Sequence, residues 1–322
     1  MRRIPAAVAA LGLTALALVG CAPGGSAAAA CDRTTSDASS LALVDVTGEQ
    51  GQPAATTTAP VYVTKTAFTD LAEGSGTPIT TSAQDVQVGI AVLNGATGQT
   101  VLAAPTTVVS VATLDDTFTG VADMLQCARP GSRTVGAIPA SDLPAEVVSQ
   151  IGIDEDQSAV VVLDLNTVFL AAANGTPQYV DGSGIPTVVL APDGTPGIVV
   201  PDAAPPADLV VKTLKKGDGA VIDADSRPRV HYTGVLWETG EVFDSSWQNG
   251  SPQTFSLDGV VDGFAQAIEG QTVGSQVLVV IPPELGYGDE DSGTIPGGST
   301  LVFVIDILGI DDITTEQPAP TQ

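Results

Sequence analysis

The chain is short of aromatic rings, positive charge and histidine. Aromatic residues fill 4% of its 322 positions, so a segment in which several fall together is informative. Lysine and arginine number 11 against 37 acidic residues, a formal net charge of −26. Such a chain repels phosphate backbones and anionic lipid headgroups, and nucleic acid is not expected as a partner. The acidic residues are spread along the sequence and read as solvated surface. One histidine, His231, and three cysteines do not make a recognisable metal-ligand set. No metal and no cofactor are expected. At 43% the apolar fraction is ordinary for a globular protein, and the length is enough for two domains.

The N-terminus carries Arg2 and Arg3, then an uncharged apolar run over residues 6–19. That run is shorter than the ~20 residues a helix needs to span a bilayer, and it reads as an export signal. It ends in Leu18-Val19-Gly20-Cys21, which resembles the lipobox of bacterial lipoproteins. The resemblance implies a signal peptide over residues 1–20, cleavage before Cys21, a diacylglycerol on its thiol and a flexible tether over 21–40. The mature chain would sit at the cell membrane, lipid-anchored on the extracytoplasmic side; ordinary secretion is the alternative. In that oxidising compartment Cys31 and Cys127 are expected to pair, unless Cys127 is simply buried. A bridge closing so long a loop constrains the unfolded chain by on the order of 4 kcal/mol.

An internal repeat is also visible. Gly51 and Pro53 recur as Gly194 and Pro196, an offset of 143 residues. The same offset relates Leu71, Gly74 and Gly76 to Leu214, Gly217 and Gly219, and Gly131-Ser132 and Ile138-Pro139 to Gly274-Ser275 and Ile281-Pro282. Thr97-Gly98 matches Thr239-Gly240 at 142. A near-constant offset over about a hundred residues points to a tandem duplication. Both halves read as antiparallel β structure with dense turn signals, and residues 301–308 are nearly continuously aliphatic or β-branched. One short helix is expected at 262–269, ended by Gly270.

The densest information lies in residues 230–303. Val230-His231-Tyr232-Thr233-Gly234, Gly240-Glu241-Val242-Phe243-Asp244-Ser245-Ser246, Thr254-Phe255-Ser256-Leu257 and Val260-Val261-Asp262-Gly263-Phe264 follow one another. Ile281-Pro282-Pro283-Glu284-Leu285-Gly286-Tyr287-Gly288 and Ser299-Thr300-Leu301-Val302-Phe303 complete the set. These segments bring aromatic residues but almost no group fit for nucleophilic or proton chemistry. Ser245 and Ser246 have no base beside them in the motif. His231 neighbours Tyr232 on a strand, so the two point to opposite faces and His231 reads as structural.

In this order and spacing the motifs resemble the FKBP-type peptidyl-prolyl isomerases, over the whole of the second half. The resemblance implies an α+β fold: two tandem FKBP-like domains, each an antiparallel half-barrel sheet of about five strands wrapped on one short helix. The division expected is a degenerate, inactive domain at 41–172, a linker at 173–205, a catalytic domain at 206–311 and a disordered tail at 312–322. A different small β domain is the alternative for the first half.

Carried across position by position, the resemblance gives a pocket walled by Tyr232, Phe243, Val260, Val261, Phe264, Tyr287 and Phe303. Phe255 belongs to its rim and Ile295 to the loop over it. Asp244 would hydrogen-bond within the pocket, the Val261 backbone N–H would bind one ligand carbonyl and the Tyr287 hydroxyl a second. Phe264 stands where the family usually has Trp, and Gln253 where some members have Phe. The positions that map onto the pocket in the first half are Ile90, Val101, Leu102, Val121 and Val161, with no tyrosine in the loop after Ile138-Pro139.

The activity implied is isomerisation of X–Pro bonds in exported polypeptides, without a covalent intermediate. Proline-containing unfolded chains are the expected partners, and the family's macrolide ligands possible ones. A catalytically weak peptide-binding chaperone or scaffold lipoprotein is the rival reading.

Overall fold

The computed structural model describes residues 31–36, 39–58 and 60–312. The signal peptide, Cys21 and residues 313–322 of the tail lie outside the described residues.

Each half begins with a hairpin that covers the back of a larger sheet. In the first half, β1 (Val44–Thr47) pairs antiparallel with β2 (Ala54–Thr57). The sheet behind it contains β3 (Ala67–Ala72), β4 (Asp85–Asn94) and β5 (Thr100–Ser110). Helices α1 (Val111–Thr117) and α2 (Thr119–Leu125) follow, then β6 (Arg133–Pro139), α3 (Ala145–Ile151) and β7 (Ser158–Val168). The strand order is β3-β6-β7-β4-β5, antiparallel throughout.

After β7 come β8 (Thr176–Pro177) and a second hairpin, β9 (Thr187–Leu190) with β10 (Pro196–Val199). The second large sheet is built from β11 (Val210–Lys216), β12 (Pro228–Leu236), β13 (Val242–Ser245) and β14 (Gln253–Thr254), then, after α4 (Asp262–Ile268), β15 (Gln276–Ile281) and β16 (Leu301–Ile310). Its order is β13-β12-β16-β15-β11-β8, with β14 paired to β12. Without β8 and β14 this is the order of the first sheet, strand for strand.

The correspondence extends to irregularities. The register slips between Asp70 and Ala72 in the first sheet and between Thr213 and Lys215 in the second. It slips again between Gln87 and Val88, and between Arg229 and Val230. A Cβ on Gly120 would lie 2.9 Å from the Ile138 side chain, and one on Gly263 2.4 Å from that of Ile281. Only glycine lets either helix sit this close to its sheet.

Continuous apolar strands are explained by burial on both faces. In β16, Phe303, Ile305 and Ile307 face the α4 side, whereas Val302 and Val304 pack with Trp237, Val188 and Ile198 on the other. In β7, Val161, Leu163 and Leu165 face α2, and Val160 and Val162 face the first hairpin's side with Leu41 and Ala55. The segment 173–205, expected as a linker, is therefore the cover of the second sheet. Its Gly194, at φ +99°, is the hairpin turn that matches Gly51 at φ +86°.

The first half carries three helices rather than one. Helix α3 starts after Pro144 and ends at Gly152 in the left-handed conformation, a local start and stop that the β reading of this half overlooked. The expected tether reaches into folded structure, since Arg33 makes a two-point ion pair with Asp70. Arg229 pairs with Asp85 and lies over the Phe169 ring, tying β12 to the first half. Cys31 and Cys127 are both disulfide-bonded.

Candidate functional site

A cavity of about 400 Å³ opens between the second sheet and α4. Tyr232 comes from β12, Phe243 and Asp244 from β13, and Phe303 from β16. Phe264 projects from α4, while Phe255, Val260, Val261 and Tyr287 come from the connections. Four of the seven phenylalanines of the chain thus line one cavity.

The rings hold one another edge-on. Phe264 meets Phe303 at 5.2 Å between centroids and Tyr232 at 6.2 Å, both nearly perpendicular. Phe243 stands against Phe303 at 5.4 Å, and Phe255 against Phe264 at 5.7 Å. Such pairs contribute about 0.5–1.5 kcal/mol each beyond area burial and fix ring directions. Gly234 makes the arrangement possible: a Cβ there would lie 2.6 Å from Phe243 and 2.7 Å from Phe303.

Polar groups are few. The Tyr232 hydroxyl donates a hydrogen bond to the Asp244 carboxylate. Burial first, and then that bond, push the phenol well above its ordinary range. Tyr232 therefore stays protonated at physiological pH and acts as a donor, not a base. Val261 is the N-cap residue of α4 with extended backbone, at φ −62° and ψ 144°. Tyr287 is 45% exposed at the mouth.

Nine of the ten residues named from sequence line this cavity, and Ile295 does not. It is buried in the apolar cluster beneath, because the loop folds back through a Ser292–Ile295 bridge. Two lining residues were missed, Asp258 and Gly259. Both sit in a single turn of 3-10 helix between the Phe255 segment and Val260, where no side-chain pattern marks them.

His231 points away from the cavity, as strand alternation requires. Its Nδ1 lies 2.9 Å from Ser246 Oγ, so the serine motif does have an imidazole beside it in space. The pair is buried, and Ser246 Oγ also accepts from the Tyr232 backbone N–H at 2.8 Å. Burial, and then the charge of Arg229, lower the imidazole pKa to about 4. Stacking on Trp247 at 3.9 Å completes a structural role. Ser245 is likewise engaged, 3.0 Å from Thr233 Oγ1.

The cavity is thus a box of aromatic rings around one oriented phenol. Residues 219–308 match the family described as FKBP-type peptidyl-prolyl cis-trans isomerase. An "FK506-binding protein" of Streptomyces anulatus is 41% identical over 119 residues, 36% of this chain and 96% of that protein. A "Probable FK506-binding protein" of Corynebacterium glutamicum is 43% identical over 113 residues, 35% of this chain and 96% of its own length. Among solved structures, FkpA from Escherichia coli aligns with 30% identity and a TM-score of 0.31, covering 40% of this chain and 52% of that one. The chain belongs to the FKBP-type peptidyl-prolyl cis-trans isomerases.

Proposed function

We propose that the second half of the chain catalyses cis–trans isomerisation of X–Pro bonds in exported, incompletely folded polypeptides. The observation that carries this reading is the ring box closed around the Tyr232–Asp244 hydrogen bond. Amide rotation has a barrier of ~18–20 kcal/mol because the C–N bond has partial double-bond character. Twisting it removes the resonance and lowers charge separation, so an apolar, water-poor cavity favours the twisted form over the planar ground state.

In this reading Phe243, Phe264 and Phe303 hold the pyrrolidine ring, with Tyr232, Val260 and Phe255 completing the walls. Asp244 orients the Tyr232 phenol. The Val261 backbone N–H and the Tyr287 hydroxyl bind the carbonyls on either side of the scissile-like torsion, which twists but never cleaves. The same cavity would accept the family's macrolide ligands.

The two halves are read as a duplicated unit, in which the first keeps the strand order but not Tyr232, Asp244 or Tyr287, and is inactive. Leu18-Val19-Gly20-Cys21 supports attachment by lipid at Cys21 on the extracytoplasmic side of the cell membrane. The rival reading, a weakly catalytic peptide-binding chaperone, draws on Phe264, whose ring offers less area than Trp and no indole N–H.

The test is proline isomerisation in a short peptide, followed with the full chain and with Tyr287→Ala and Phe243→Ala. A catalysed rate that falls about tenfold or more in either variant is expected. An uncatalysed rate for the unmodified chain would overturn the enzyme reading and leave the chaperone.

A further inference from the structure

The first half has a cavity of its own, about 260 Å³, between its sheet and the helices. Ile90, Val101, Leu102, Val121 and Val161 line it. These are the five positions that the repeat maps onto Tyr232, Phe243, Asp244, Phe264 and Phe303. The cavity has thus survived the loss of the residues that give the other one its donors. Phe118 is its one aromatic residue, Gln150 its one polar side chain, and Leu143 and Val147 close a side. Val101 is 42% exposed and Leu102 46%, so apolar surface is presented at the opening.

Acidic residues adjoin the lining residues along the chain, and Asp115, Asp116 and Glu146 are exposed. Asp115 and Asp116 follow the lining residue Leu114, Asp142 precedes Leu143 and Glu146 precedes Val147. Asp123, on α2, is raised above the usual carboxylate range by partial burial and then by the charges of Asp115 and Asp142. An apolar hollow with exposed carboxylates next to its lining residues favours an apolar group flanked by positive charge. A second copy of this chain, at −26, is repelled, as is an anionic membrane.

We infer that the first half is a second, non-catalytic binding site, which takes an aliphatic side chain from an unfolded polypeptide at a point where lysine or arginine flanks it. Proline is not the preferred group there, because no tyrosine hydroxyl donates to the neighbouring carbonyls and no ring box holds the pyrrolidine. The inference concerns a different cavity from the isomerase reading and stands or falls separately.

The experiment is fluorescence anisotropy of labelled, proline-free peptides with the full chain. One peptide has leucines flanked by lysines; in a second the lysines are glutamates, and in a third the leucines are serines. Binding of the first alone is expected, weakened about tenfold by Leu102→Asp and by the pair Asp115→Asn with Glu146→Gln, and unchanged by Tyr287→Ala. Leu102→Ser serves if the aspartate variant does not fold. Equal binding of the glutamate peptide, wild-type affinity in the Leu102 variants, or loss of binding in Tyr287→Ala would overturn the inference. The last result would place the peptide in the aromatic cavity.

Discussion

At the scale of single residues, the aromatic box depends on a position that has no side chain. Gly234 gives Phe243 and Phe303 the room to meet edge-on, and the methyl of Gly234→Ala would intrude on both. Overpacking of this kind typically costs about 1–3 kcal/mol. We expect Gly234→Ala to lower thermal stability by that amount and isomerisation by at least about tenfold, read by melting and by the peptide assay. His231 governs a pH dependence instead. The unfolded imidazole titrates near 6.5 and the folded one near about 4. Between those values the unfolded chain binds the additional proton, so stability is complete above the upper value and falls as pH drops through the interval. The loss is on the order of 2 kcal/mol once partial solvent screening is allowed for. His231→Gln should flatten this part of the curve; parallel urea titrations of the two proteins at several pH values would show whether it does.

At the scale of elements, the most informative strand is β16. Its unbroken aliphatic run was legible in sequence, but the consequence was not drawn, namely that two apolar faces need two covers. One cover is α4, found correctly from its position before Gly270. The other is the β9–β10 hairpin, inside a segment whose proline and glycine content reads as linker. The repeat already contained the correction, since Gly51 and Gly194 are matching turns of the two hairpins. A truncated chain starting at residue 206 should expose Val302, Val304 and Trp237, bind a hydrophobic dye and aggregate. One starting at 174 keeps the hairpin and should remain soluble. Equal solubility of the two would show that the hairpin is dispensable. The helix α3 was missed for a similar reason: its Pro144 start and Gly152 stop are local signals, drowned by the alternating pattern on either side.

At the scale of the whole molecule, the halves are not beads on a string. Asp85 on β4 pairs with Arg229 on β12, and Gln87 donates to Asp311 at 2.8 Å. Phe169, wholly buried, fills the space that a side chain on Gly309 would need. Cys31 and Cys127 are each disulfide-bonded. Reduction should lower the unfolding free energy by on the order of 4 kcal/mol in the chain-entropy account, measured by denaturant titration with and without a thiol reductant. Cys31→Ser with Cys127→Ser should reproduce the reduced behaviour.

The sequence by itself determined the family, the aromatic residues of the cavity and the opposite facing of His231. Each of these is written in residue identity, spacing or strand period, which need no knowledge of distant contacts. Tertiary structure alone decided that residues 173–205 cover a sheet, that Ile295 sinks into the core and that Ser246 meets His231. It also decided that the first half keeps an apolar cavity. Those facts depend on which surfaces remain unburied once the strands have paired. That is a property of the assembled sheet rather than of any segment within it.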